Sequence, residues 1–119
     1  MNTSSINFEA AYSTAELKVA ADALKSWLEN HPELTFFTFD QVCRELANSI
    51  PFELFNRVLL RLVAAGELQV HYRVKLSGGE YSEEAFESLD DVPPCVFDSS
   101  FEPVEVSDED KVTAYAHAR

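Results

Sequence analysis

The sequence predicts a small α+β domain in which three helices precede a strand that enters a hairpin. Three segments repeat apolar residues at helical spacing, the segment Glu67–Leu76 alternates apolar and polar residues, and a Ser-Gly-Gly turn follows. A chain of 119 residues with 46% hydrophobic content can build its own core. We therefore expect a flexible N-terminus over residues 1–12 and a single domain over residues 13–119, on which residues 80–119 pack as an acidic extension.

The first helix is predicted to begin at a capping box formed by Ser13 and Glu16. The residue before a proline avoids the helical region, so Pro32 predicts that this helix ends near His31. Its apolar stripe consists of Leu17, Ala20, Ala21, Leu24, Trp27 and Leu28.

A second capping box, formed by Thr38 and Gln41, predicts the start of a short second helix. This helix is expected to end near Ala47, with Asn48 and Ser49 in the turn. Its expected buried stripe consists of Phe39, Val42, Cys43 and Leu46.

The third helix is predicted to start with Pro51 at its first position and to stop at Gly66. We expect it to be the central core element, because its apolar residues share one helical phase. The residues expected to be buried are Phe52, Phe55, Leu59, Leu62 and Val63. Leu60 interrupts the polar face between Asn56, Arg57 and Arg61, where the core does not require an apolar residue.

The alternating strand presents a polar face of Gln69, His71, Arg73 and Lys75, the one basic stripe in the sequence. This stripe could meet nucleic acid or an acidic partner. The other interpretation is a solvated sheet face, covered in part by the chain's own acidic C-terminal third.

Residues 80–91 allow two interpretations, a returning strand through Tyr81 or a short helix capped by Ser82. The patterns beyond Pro93-Pro94 predict short extended segments at Cys95–Phe97 and Val104–Val106, a turn or helix cap at residues 107–110 and a last strand over Lys111–Tyr115. The C-terminal third has too many apolar residues for a solvated tail, so we expect it to be folded. These residues are Phe86, Leu89, Val96, Phe97, Phe101, Val104, Val106 and Tyr115.

The order of three helices and a strand entering a hairpin, over roughly residues 14–80, resembles a winged helix-turn-helix. The resemblance implies a winged-helix-like three-helix core, a β-hairpin wing and an acidic C-terminal extension of short strands. It also implies that the third helix would be the recognition helix, with Arg57 and Arg61 placed to touch phosphates. The chain departs from DNA-binding members of this fold in its acidity and in the apolar start of that helix, Phe52, Leu54 and Phe55.

The net charge of −12 is unevenly distributed. Residues 1–74 have six Lys/Arg and nine Asp/Glu, whereas residues 75–119 have three and twelve. Such a field repels nucleic acid and anionic lipid and favours basic protein surfaces. Without a secretion signal or a membrane-length apolar run, and with two cysteines, the chain is expected to be a cytoplasmic, reduced protein that does not bind membranes.

Signatures of catalysis and of metal binding are missing from the sequence. It has no P-loop, no dinucleotide-binding glycine motif and no nucleophile elbow. The soft metal-ligand candidates lack zinc-site spacing, and the acidic groups lack the pattern of a calcium loop. Those candidates are His31, Cys43, His71, Cys95 and His117. We therefore expect a protein that is not an enzyme and that holds no cofactor or metal.

The remaining candidate site is a contact surface of Leu54, Arg57, Leu60 and Arg61 on the third helix. Apolar anchors beside arginine are typical of protein interfaces, so the sequence predicts an adaptor or regulatory domain that binds a protein partner or itself. One alternative is a DNA-binding regulator that uses Arg57, Arg61, Arg73 and Lys75. Another is an acidic nucleic-acid mimic that inhibits a nucleic-acid-binding protein, with its carboxylates in residues 80–110.

Overall fold

The computed structural model describes residue 1, residues 3–46 and residues 50–118. The chain forms two compact units, which we call the helical unit (Met1–Gln69 with Tyr115–Arg119) and the acidic unit (Val70–Ala114). The predicted α+β class is confirmed, whereas the expected single domain over residues 13–119 stays a prediction. No helix in the described ranges is both long and apolar enough to span a membrane.

The first helix, α1, spans Ala15–Glu29. Its N-cap is Thr14, whose hydroxyl oxygen accepts a hydrogen bond from the Leu17 amide at 3.1 Å. The predicted cap at Ser13 is therefore wrong by one residue, and the helix ends two residues before the expected His31. All six residues of the predicted apolar stripe are buried, which confirms the face that α1 turns to the core.

The N-terminal segment differs from the expectation of a flexible terminus. It forms two short 3₁₀ turns, Thr3–Ser5 and Phe8–Ala11, and the second packs against α1. Ile6, Phe8 and Ala11 are buried. The segment was expected to be flexible because most of its residues are polar. Burial of these three apolar residues stabilises its ordered conformation.

Phe37–Thr38 forms a short strand, β1, and the second helix, α2, follows over Phe39–Leu46. The predicted capping box is confirmed: the Thr38 hydroxyl accepts from the Gln41 amide at 3.3 Å, and the Gln41 side chain accepts from the Thr38 amide at 2.8 Å. Of the expected stripe, Val42 is buried, whereas Phe39, Cys43 and Leu46 are half-buried. The predicted end near Ala47 and the turn at Asn48 and Ser49 lie outside the described residues.

The third helix, α3, spans Phe52–Ala64, and Pro51 is its N-cap rather than its first residue. At its end the Gly66 amide donates to Val63 at 3.0 Å and the Glu67 amide to Leu62 at 2.9 Å. These two bonds and the Gly66 φ of 77° form a Schellman motif, so the predicted glycine stop is confirmed.

The core face of α3 is confirmed for Phe55, Leu59 and Leu62, which are buried together with Val58. Phe52 was expected in this core but is 56% exposed, and its ring lies edge-on to the half-buried Phe39 of α2. Val63 is half-buried.

The strands β2 (Leu68–Val74) and β5 (Lys111–His117) complete a three-stranded sheet of order β1-β5-β2. The Ala118 amide donates to the Glu67 carbonyl at 3.2 Å, and the Lys75 amide donates to the Asp110 carbonyl at 2.7 Å, so β2 and β5 run antiparallel. The predicted last strand is confirmed and is two residues longer than expected.

Within the acidic unit, β3 (Cys95–Phe97) pairs antiparallel with β4 (Pro103–Glu105), close to the two predicted extended segments. Residues 80–91 are neither the predicted strand nor the predicted helix capped by Ser82. Tyr81 forms a single antiparallel bridge with Lys75, and Phe86 forms another with Tyr72. A 3₁₀ turn follows at Leu89–Asp91. The core of the unit consists of Val74, Leu76, Phe86, Val92 and Val96.

Candidate functional site

The outward face of α3 presents an apolar side chain between two cations. Leu60 is 59% exposed, and Arg57 and Arg61 are exposed beside it. Since an α-helix has 3.6 residues per turn, these three residues lie on the side opposite Leu59 and Leu62, which are buried. The predicted exposure of Leu60 is confirmed, and its contribution to the core is small.

These side chains line one side of a groove of about 410 Å³ in the helical unit. The start of α1 lines the other side with Ser13, Thr14 and Leu17. Both walls are fixed locally, because Thr14 caps α1 and the Schellman motif follows Ala64, which is the last residue of α3 and also lines the groove. The groove is therefore a preformed feature of two packed helices.

The structure brings together three of the four predicted partner-binding residues. Arg57, Leu60 and Arg61 line the groove, whereas Leu54 is half-buried and does not line it. Leu54 lies about two turns before Arg61 on the same side of α3, but it precedes Arg57, the first α3 residue of the groove, by three residues. Sequence reasoning missed Leu17, Ser13 and Thr14, because nothing in a single sequence shows which parts of two helices will be neighbours.

Both arginines of the groove are available to a ligand. Among the residues that the structure describes, the one ion pair joins Lys111 to Asp108 at 3.0 Å, so neither Arg57 nor Arg61 has an ion-pair partner. Glu53 lies one turn before Arg57 on α3, but the two described side chains do not form an ion pair. An apolar floor with two guanidinium groups is suited to a protein segment that places an apolar side chain beside a carboxylate.

The residues of the predicted basic stripe on and next to β2 differ in their hydrogen bonds. The Arg73 guanidinium donates to the carbonyls of Ser82 at 2.8 Å and Glu83 at 2.9 Å, and its Nε donates to His71 Nε2 at 3.1 Å. Burial lowers the pKa of Arg73. The pKa of His71 is also lowered, mainly by burial and to a smaller extent by the positive charge of Arg73. Lys75 is exposed. The C-terminal third thus covers part of this face, through carbonyl oxygens rather than carboxylates.

The cysteines and histidines do not converge on a metal-binding arrangement. Within the described residues there is no group of three or more His, Cys, Asp or Glu side chains that could hold a metal ion. The Cys43 thiol is half-buried, and burial, with a smaller contribution from Asp40, raises its pKa. His31 is held by a 2.8 Å contact between its Nδ1 and the Trp27 carbonyl.

A second exposed surface was missed at the sequence level. Phe97, Phe101 and Leu89 belong to the apolar residues from which a folded C-terminal third was predicted, and all three are exposed. The signal that could have found Phe97 is strand alternation: Val96 points into the core of the acidic unit, so its neighbour must point outward.

Comparisons of the chain with models of protein families, with curated proteins and with solved structures found no match. The assignment of function therefore depends on the groove, on the state of each cation and on the distribution of charge. The groove presents both apolar and cationic groups to solvent.

Proposed function

We propose that the chain is a non-enzymatic protein-interaction domain of winged-helix type, with an adaptor or regulatory role. It binds its partner through the groove lined by Arg57, Leu60 and Arg61. The observation that carries this proposal is the exposed Leu60 between two arginines that form no ion pair with any described residue. A second copy of the chain is one possible occupant of the groove.

The winged-helix assignment is supported by the order of the elements. Three helices precede β2, and the chain returns through β5, which pairs with β2 as the second strand of a hairpin would. The 36 residues 75–110 between the two strands are the extended tip of that hairpin and carry most of the acidic charge.

The state of Arg73 favours the interaction role over the DNA-binding alternative. Its guanidinium is bound to two carbonyls, so of the four cations assigned to a DNA face it is the least available. The net charge of −12 opposes phosphate contacts at long range. The first turn of α3 also carries Phe52 and Leu54, where base-reading residues usually lie.

The charge of the acidic unit supports the alternative function of a nucleic-acid mimic. Twelve Asp/Glu against three Lys/Arg in Val70–Ala114 give it a net charge of −9. A mimic would bind a basic groove through these carboxylates and would not need Leu60. The two functions are therefore separable by substitutions in different units.

The test substitutes Leu60→Asp and uses Val19→Asp as the matched control. Val19 is an aliphatic residue of the same unit, 58% exposed, and does not line the groove. We expect both variants to keep the wild-type thermal midpoint, and Leu60→Asp alone to abolish self-association in sedimentation or capture of a partner from the native host. If Leu60→Asp matches the wild type in both measurements, the groove is not the binding surface.

A duplex-binding measurement distinguishes the DNA alternative. We expect affinity for random duplex near physiological salt to be weaker than about 1 μM. Tighter binding that is weakened by Arg57→Ala would instead support the DNA-binding regulator.

A further inference from the structure

The tip of the β3–β4 hairpin holds a phenylalanine in solvent. Phe101 is 86% exposed and has a φ of 61°, a left-handed conformation that bulky residues rarely adopt. The Asp98 carboxylate accepts hydrogen bonds from the amides of Ser100 and Glu102, each at 2.9 Å, and the Asp98 carbonyl accepts from the Phe101 amide at 3.0 Å. The hairpin tip thus fixes this ring where it contributes almost nothing to the core.

Phe97 extends the aromatic surface along the same hairpin. It is 64% exposed and lines two neighbouring hollows of about 300 and 320 Å³, which share Phe97, Glu83, Asp98 and Ser99. Phe101 lines the first hollow. Two exposed phenylalanines on one short hairpin are more than the isolated surface apolar residues that need no explanation.

The charge around these rings is negative and largely uncompensated within the unit. Of the three cations between Val70 and Ala114, Arg73 binds carbonyls and Lys111 binds Asp108. Glu83 and Glu84 line the first hollow, and the described residues place no cation in an ion pair with either carboxylate. An aromatic surface edged by free carboxylates complements a surface that is apolar and basic.

We propose that this hairpin and its two hollows are a second docking surface, for a protein segment that carries lysine or arginine beside an apolar side chain. The cations would meet Glu83 and Glu84 and the faces of the two rings, and the apolar side chain would enter a hollow. A foreign segment is favoured over a second copy because the net charge of −12 repels another copy of the chain. This surface belongs to the acidic unit and goes beyond the groove of the proposed function.

The experiment uses the full chain, labelled with ¹⁵N, and a synthetic peptide of lysine and leucine as the probe. We expect saturable shifts of the amide resonances of residues 83, 84, 95–102, 104 and 105. A lysine/serine peptide of equal charge should bind about tenfold or more weakly, because it lacks the apolar side chain.

Phe101→Gly is the decisive variant, because glycine adopts a positive φ without strain and the backbone hydrogen bonds of the loop do not need the ring. We expect it to keep or raise the thermal midpoint while weakening peptide binding about tenfold. Leu89→Gly is the matched control, since Leu89 is an exposed apolar residue of the same unit that lines neither hollow. It should bind the peptide as the wild type does.

Carboxylate removal tests the charge component separately. Glu83→Gln with Glu84→Gln leaves the Glu83 carbonyl available to Arg73 and should reduce both the affinity and its dependence on salt.

Several results would overturn the proposal: no resonance shift at about 1 mM peptide, equal binding of the serine peptide, or unchanged binding by Phe101→Gly. The wild type could instead show concentration-dependent sedimentation that Phe101→Gly abolishes. That result would show that a second copy of the chain occupies the surface, and it would also overturn the proposal of a basic partner. If Leu60→Asp abolishes partner binding at the groove of the helical unit, that result has no bearing on peptide binding at the hairpin, so either surface can fail alone.

Discussion

The two units are stabilised in different ways. The helical unit carries six Lys/Arg and nine Asp/Glu, and its interior contains large side chains with no exposed surface, such as Phe37, Phe55 and Leu59. The acidic unit carries three and twelve, and its buried cluster has five members, of which Phe86 is the one aromatic. Apolar burial therefore supplies more of the stability of the helical unit, whereas charge repulsion opposes folding mainly in the acidic unit.

The backbone of each unit satisfies its polar groups by different means. Helices do this locally in the helical unit, with Thr14 and the Schellman motif at their ends. In the acidic unit side chains add to the backbone pairing of short strands and single bridges: Arg73 binds two carbonyls, and the Ser82 hydroxyl accepts from the Val74 amide and donates to the Glu84 carbonyl, each at 2.9 Å. Single polar substitutions should therefore affect the acidic unit more than the helical unit.

The largest effect is expected in the core of the helical unit. Leu59→Ala removes a side chain with no exposed surface from α3 and should lower the free energy of unfolding by about 2–5 kcal/mol. The measurement is a urea titration, with Leu60→Ala, one residue along the same helix and exposed, as the control. The control should stay within about 0.5 kcal/mol of the wild type. An unchanged midpoint for Leu59→Ala would show that α3 is not the central core element.

A smaller effect is expected when the acidic unit loses its main polar contact. Arg73→Met keeps the apolar stem but leaves the carbonyls of Ser82 and Glu83 without their donor, at a cost of about 1–3 kcal/mol. Amide hydrogen exchange should accelerate over residues 72–86 and stay unchanged in α1. Lys75→Met, an exposed cation next to the same strand, is the control for the loss of charge. Equal acceleration in both variants would mean that charge, and not the carbonyl contact, matters here.

Local signals predicted most of the helical unit. The stripe of α1, the capping box of Thr38 and Gln41 and the glycine stop of α3 each depend on residues close in sequence, and all three are confirmed. The errors are also local: Ser13 and Thr14 are both good caps, and one sequence cannot rank two adjacent candidates. Phe52 shows the other limit, because helical phase alone does not reveal that α2 offers it an aromatic contact at the surface.

The acidic unit was less predictable because its contacts are distant in sequence and involve side chains. The alternative of a returning strand pointed to pairing at Tyr81, but nothing near residues 80–91 indicates that the pairing consists of two single bridges, Tyr81 to Lys75 and Phe86 to Tyr72. The candidate groove was predictable only in part. Leu60 was found from helical phase, whereas its neighbour Leu17 lies forty-three residues earlier and depends on how two helices pack.

The smallest expected effect is a dependence of stability on pH that arises at His71. Its Nε2 accepts a hydrogen bond from Arg73 Nε, so protonation would remove the acceptor and add a charge beside the guanidinium. Burial, then Arg73, lowers the pKa of His71 below its usual 6.5. Because the unfolded chain binds this proton more readily, stability from this group is present above pH 6.5 and is lost as the pH falls below that value.

His71→Gln provides the measurement, because glutamine keeps an acceptor for Arg73 and does not titrate. Between about pH 7.5 and pH 5.5 the wild type should lose more stability in urea titrations than the variant does. The carboxylates are common to both proteins, so their contribution cancels in the difference. A variant that loses as much stability as the wild type would indicate that His71 can be protonated in the folded acidic unit without cost. In that case the side-chain-to-backbone network of the unit is looser than its hydrogen bonds indicate.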